Sequence, residues 1–125
     1  MGFFSELFEN AEIHNLTLDN VTIQGLFSIS SDNFFASLCG VLCGMGRNIN
    51  ISNCNITNCK INVTYSNNTS SNQLIFIGGL FGMAHVTNDD IHKIINCNVI
   101  NTSIKITCNS DLINCFVCGL FTIPL

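Results

Sequence analysis

A nine-residue phrase occurs three times in this chain of 125 residues, at 15–23 (Asn-Leu-Thr-Leu-Asp-Asn-Val-Thr-Ile), 53–61 (Asn-Cys-Asn-Ile-Thr-Asn-Cys-Lys-Ile) and 96–104 (Asn-Cys-Asn-Val-Ile-Asn-Thr-Ser-Ile). Each copy follows a glycine-led apolar run, Gly2-Phe-Phe, Gly40-Val-Leu or Gly79-Leu-Phe, and the run returns a fourth time at Gly119-Leu-Phe. A period near forty residues in so short a chain restricts the fold to stacked units, because one copy cannot bury its apolar face alone. The expectation is an all-β chain, a parallel β-helix or β-solenoid of about three repeats. It is expected to form a single repeat domain over 1–125, as a segment of a longer array.

Aligned on the phrase, the apolar columns are Ile13/Ile51/Ile94, Leu16/Cys54/Cys97, Leu18/Ile56/Val99, Val21/Cys59/Thr102 and Ile23/Ile61/Ile104. Their spacing alternates between three and two. Steps of two are the strand period, and each step of three holds one residue too many, which marks a corner. Asn15, Asn53 and Asn96 fall in the first such gap, and Asn20, Asn58 and Asn101 in the second. Asn tolerates left-handed backbone and bonds its own chain at turns, so these six residues are expected to be structural corners. Stacked copies would bond their amides into a ladder along the axis, here expected to face inward. Coils of such folds commonly take about 20 to 25 residues, so each repeat is expected to make two coils. Both ends of the stack then present unpaired strand edges, and self-association or continuation of a longer array through those ends is expected.

From glycine to Asn the spacing is thirteen residues in the first two copies and seventeen in the third, an insertion of four. The inserted loop carries His85, Asp89, Asp90 and His92, whose imidazole and carboxylate groups are the only candidate metal ligands outside the cysteines. Their spacing matches no metal motif, and Asn-Asp-Asp is ordinary turn composition, so no metal or cofactor is expected. Insertions in repeats map to loops, where sites are carried.

Hydrophobic content of 47% supports a core, while a net charge of −4 with only four scattered bases excludes a phosphate-binding surface, so no nucleic-acid partner is expected. The apolar stretches at 34–45 and 74–86 are too short for a membrane-spanning helix and contain glycines. The start, Met-Gly-Phe-Phe-Ser-Glu-Leu-Phe-Glu, has acids where a signal peptide needs bases. Sequons begin at Asn15, Asn20, Asn50, Asn55, Asn62, Asn67, Asn68 and Asn101, and of these the loop pair Asn67 and Asn68 is placed best for glycosylation.

Gly79-Leu-Phe-Gly82, followed by an Asn-Cys-Asn-Val phrase, resembles the GLUG repeat, named for Gly-Leu-hydrophobic-Gly. Ser5, Cys43 and Thr122 stand at the last position of the other copies, so that Gly2, Gly40, Gly79, Gly82 and Gly119 are the repeat glycines. The resemblance implies a right-handed β-helical stalk of an adhesin-like surface or secreted protein, placed outside the cell or at its surface. It implies no catalytic residues.

Of the eight cysteines, Cys115 and Cys118 have half the spacing of a zinc site without a matching second pair. Cys54, Cys97 and Cys59 share columns with Leu16 and Val21, which reads as free thiol in the core. Cysteines of one column could be bridged only if each repeat is a single coil. With no Trp, one Tyr and no acidic pair outside the inserted loop, hydrolytic chemistry has few candidates and the chain is not expected to be an enzyme. The function expected is a non-catalytic structural or adhesive module. Alternatives are a truncated repeat fragment or protein-interaction scaffold and, more remotely, a carbohydrate-active β-helix.

Overall fold

The computed structural model describes residues 1–30, 36–85 and 92–120, and every regular element in them is a strand. The first coil runs through β1 (Phe4–Leu7), β2 (Glu12–His14), β3 (Thr17–Asp19), β4 (Thr22–Ile29) and β5 (Ala36–Gly40). The second runs through β6 (Cys43–Arg47), β7 (Asn50–Ser52), β8 (Asn55–Thr57), β9 (Lys60–Asn67) and β10 (Gln73–Gly78). The third is β11 (Phe81–His85), β12 (Lys93–Ile95), β13 (Asn98–Ile100), β14 (Ser103–Cys108) and β15 (Ile113–Cys118). Corresponding strands pair in parallel into five three-stranded sheets, β1-β6-β11, β12-β7-β2, β13-β8-β3, β14-β9-β4 and β15-β10-β5. The chain is therefore a β-solenoid.

Each repeat makes one coil, not two. The Asn phrase follows directly on β2 and covers only β3 and the first two residues of β4, with their counterparts. The long strand β4 and the further strand β5 complete the turn, so the coil is longer than the generic length from which two coils were expected.

The columns read from the sequence are the register observed. Ile13 and Ile94 flank Ile51, Leu18 and Val99 flank Ile56, and Ile23 and Ile104 flank Ile61. In the middle coil Ile51, Cys54, Ile56, Cys59, Ile61, Val63 and Tyr65 are all sealed from water. The same columns are half-buried at Ile13, Ile94, Cys97, Val99 and Ile104, because each end coil has a neighbour on one side only. Lateral burial by stacked coils is thus the main stabilising contact, worth roughly 25 cal/mol per Å² of apolar surface.

The glycine-led run departs from the sequence alignment. Cys43, not Leu42, lies opposite both Phe4 and Phe81. The Leu80 carbonyl accepts from the N–H groups of both Leu42 and Cys43, at 3.1 and 3.3 Å, a shared acceptor at the turn between the two sheets. The register is the same on both sides of that turn, since Gly40 lies opposite Gly78 and Cys43 opposite Phe81, so the repeat glycine Gly40 pairs with Gly78 rather than with Gly79. Gly44 consequently sits in the column of Gly82, between the pairs Phe81–Cys43 and Met83–Met45. The insertion before the third phrase is likewise five residues rather than four, since Phe81 lies opposite Cys43 but Lys93 opposite Asn50.

These glycines supply space, and none has positive φ. A Cβ on Gly40 would come within 2.6 Å of the Phe81 backbone. One on Gly82 would strike the Cys39 nitrogen and lie 2.7 Å from the Gly44 carbonyl oxygen. The sheet of β6 and β11 therefore approaches that of β5 and β10 backbone to backbone, which only glycine permits.

Candidate functional site

The six Asn corners are held in left-handed backbone, with φ of 57° at Asn15, 53° at Asn53, 51° at Asn96, 56° at Asn20, 54° at Asn58 and 51° at Asn101. Each ends one short strand and turns the chain so that the next residue, Leu16, Cys54, Cys97, Val21, Cys59 or Thr102, enters the lumen. Asn is the side chain that best tolerates this conformation.

The amides form ladders. Asn96 Nδ2 donates to Asn53 Oδ1 at 3.3 Å, and Asn53 Nδ2 to Asn15 Oδ1 at 3.2 Å. In the second column Asn101 Nδ2 donates to Asn58 Oδ1 at 2.7 Å, and Asn58 Nδ2 donates to Asp19 Oδ1 at 2.9 Å. The ladders run on the outside, because all six Asn are exposed. This corrects the expectation of inward-facing amides: the lumen at each corner is filled by the residue after Asn, and the left-handed turn directs the Asn side chain to solvent. The sequons at Asn15, Asn20 and Asn101, read as buried, are exposed as well.

Further outer columns repeat the device. Asn48 donates to Asn10 at 3.1 Å, Asn50 to Glu12 at 3.4 Å and Asn98 to Asn55 at 3.0 Å. His14 Nδ1 and Ser52 Oγ are 2.6 Å apart in the same sheet. The direction is uniform in the amide columns, with every donor one coil later in sequence than its acceptor. Asp19 closes the second ladder by also accepting from Thr57 Oγ1 at 2.6 Å, and these bonds, Thr57's first, hold its carboxyl below the usual value. These pairs escaped a phrase-by-phrase reading, although the same column alignment contains them.

The corner cysteines do more than fill space. Cys54, Cys59 and Cys97 each donate S–H to the carbonyl two residues earlier, Ser52 at 3.4 Å, Thr57 at 3.1 Å and Ile95 at 3.4 Å. Thr102 does the same with its hydroxyl, to Ile100 at 3.3 Å. A small donor after the Asn corner thus satisfies a carbonyl that the turn leaves beside the strand end. All eight cysteines are free thiols. Burial raises the Cys39 and Cys54 thiols and pushes Cys43 up to about 12.

At the end of the third coil the lumen opens. Tyr65 lies one coil inside, stacked on Phe27 with ring centroids 5.0 Å apart, and its hydroxyl is 2.7 Å from Ser37 Oγ. Burial pushes its phenol up to about 12, against the lowering effect of Ser37. Cys108 lies in register with Tyr65 and Cys115 with Ile75, and the two sulfurs are 3.5 Å apart.

Of the metal candidates, Asp89 and Asp90 lie outside the described residues, as does the side chain of His85, whose backbone ends β11. His92 is half-buried just before β12. Among the described residues no three His, Cys, Asp or Glu side chains converge as a metal-binding group. Along the sheet of β2, β7 and β12 a surface groove of about 200 Å³ is lined by Asn10, Glu12, Asn48, Ile49, Asn50 and Lys93. No helix of the described residues is long and apolar enough to cross a membrane.

No protein-family model matches the chain, and neither does a curated protein or a solved structure.

Proposed function

We propose that the protein is a non-catalytic structural module, a rigid length of solenoid that extends coil by coil within a surface or secreted protein. The observation that carries this reading is the start of a fourth turn. The Leu120 carbonyl accepts from the N–H groups of Leu80 and Phe81 at 2.8 and 3.0 Å, and the Gly119 carbonyl from Gly79 at 3.1 Å. The third coil is thus paired as the second is, with Leu120 in the role of Leu80. Uniform ladder direction adds polarity: extension presents the Asn96 and Asn101 carbonyls of one coil to amide donors of the next, head to tail. Placement outside the cell rests on the resemblance of Gly79-Leu-Phe-Gly82 to GLUG repeats of adhesin-like stalks. A protein-interaction scaffold is the second reading, favoured by the outward-facing apolar side chains Leu26, Ile95 and Ile100, which are 80%, 52% and 55% exposed.

A tandem fusion tests the first reading, with the Gly2 run of a second copy placed where the fourth turn begins. Nearest-neighbour coupling predicts one cooperative unfolding transition at a higher urea midpoint than the single chain. Two copies that unfold independently at the single-chain midpoint would overturn it.

A further inference from the structure

We infer that Cys108 and Cys115 form a dithiol site that reacts with small disulfides, such as oxidised glutathione, and closes to an intrachain disulfide. The other cysteines define the contrast. Cys54 and Cys97 share a column, but each turns its S–H to the carbonyl two residues earlier, and Cys54 is sealed inside the lumen. Cys39, Cys43 and Cys59 are buried as well. Cys108 and Cys115 instead face each other at 3.5 Å, seven positions apart, where β14 hands over to β15. Both are exposed here, and a further coil stacked on the third would cover them as the third covers their column mates Tyr65 and Ile75, so the site belongs to the uncovered end of a stack. A disulfide bond is about 2.0 Å long, so closure requires the sulfurs to approach by about 1.5 Å, within reach of side-chain rotation and a small backbone shift.

The chemistry balances as two exchanges. The thiolate of Cys108 attacks one sulfur of the small disulfide, breaking its S–S bond and releasing one small thiol, which takes up a proton. Cys115 then loses its proton and attacks the Cys108 sulfur of the mixed disulfide, expelling the second small thiol. Two protein S–H bonds are lost, one protein S–S bond is gained, and the small disulfide is reduced to two thiols. The Cys115 thiol is pushed up to about 12, first by partial desolvation and then by the neighbouring Cys108 sulfur. Exchange proceeds through the thiolate, so the assay is run at a mildly alkaline pH of about 8.5.

The test is incubation of the reduced protein with oxidised glutathione, followed by intact mass and peptide mapping. The expected product is about 2 Da lighter than the reduced chain and contains a cross-linked peptide joining Cys108 to Cys115. Cys118→Ser gives the same product, whereas Cys115→Ser stops at the mixed disulfide on Cys108, about 305 Da heavier. Closing this short loop raises the thermal unfolding midpoint by roughly 5 °C in the wild type and not in Cys115→Ser. A persistent mixed disulfide on wild-type Cys108, a bridge between Cys54 and Cys97 or between Cys115 and Cys118, or no reaction at all would each overturn the inference.

Discussion

At Asn53 one side chain serves two functions, tolerating φ of 53° and bonding to the coils on either side at 3.2 and 3.3 Å. Ala lacks both properties, since left-handed backbone costs an ordinary residue about 1–2 kcal/mol. Gly regains the backbone and loses only the ladder. Urea denaturation should therefore rank wild type above Asn53→Gly above Asn53→Ala, with Ala about 2 kcal/mol below wild type. Equal losses for the two variants would mean that the ladder alone matters. Asp19 gives the pH signature. Its folded pKa is lowered, so its contribution is complete above the ordinary value of 3.8 and is lost as pH falls through the lowered one. Between pH 4 and pH 2 the wild type should lose more of its urea midpoint than Asp19→Asn, by a small margin because the carboxylate is solvated. The corners were legible because Asn recurs inside every three-residue gap. Their outward direction was not, because it depends on which of two adjacent residues fills the lumen: Cys54 does so at 0% exposure, leaving Asn53 outside.

On the scale of strands, stacking decides how much each position contributes. Ile56 in β8 has Leu18 on one side and Val99 on the other, whereas Val99 in β13 has Ile56 alone. Ile56→Ala should cost about 3–4 kcal/mol in equilibrium unfolding, and Val99→Ala about 1 kcal/mol, because the open end relaxes around the smaller side chain. Gly82→Ala in β11 pushes a methyl group against the backbones of Cys39, Gly44 and Leu38, none of which is the flexible end of a side chain. A loss of at least about 2 kcal/mol is expected, and a variant as stable as wild type would contradict the close approach of the two sheets. The register of β2, β3 and β4 was legible because the phrase repeats without gaps. The register of the glycine-led run was not, since Gly78 and Gly79 are adjacent and only the strand pairing decides that Gly78 lies opposite Gly40.

For the molecule as a whole, three coils place one sealed layer between two half-open ones, so stability should fall from the centre outward. Hydrogen exchange should find the amides of β7, β8 and β9 most protected and those of β12, β13 and β14 opening first. A repeat near forty residues limited the whole to a stack. It pointed to two coils per repeat where there is one, because most of β4 and all of β5, which complete the turn, lie outside the repeated phrase. The number of coils per repeat is the central claim, and hydrogen bonds between coils report it directly. Asn55 N–H donates to the Leu16 carbonyl and Asn98 N–H to the Cys54 carbonyl, both at 2.9 Å. Through-bond NMR couplings across those hydrogen bonds should therefore join the Asn55 nitrogen to the Leu16 carbonyl carbon and the Asn98 nitrogen to the Cys54 carbonyl carbon. Couplings that instead join residues about twenty apart within one repeat, or an antiparallel pattern between the phrases, would contradict one coil per repeat.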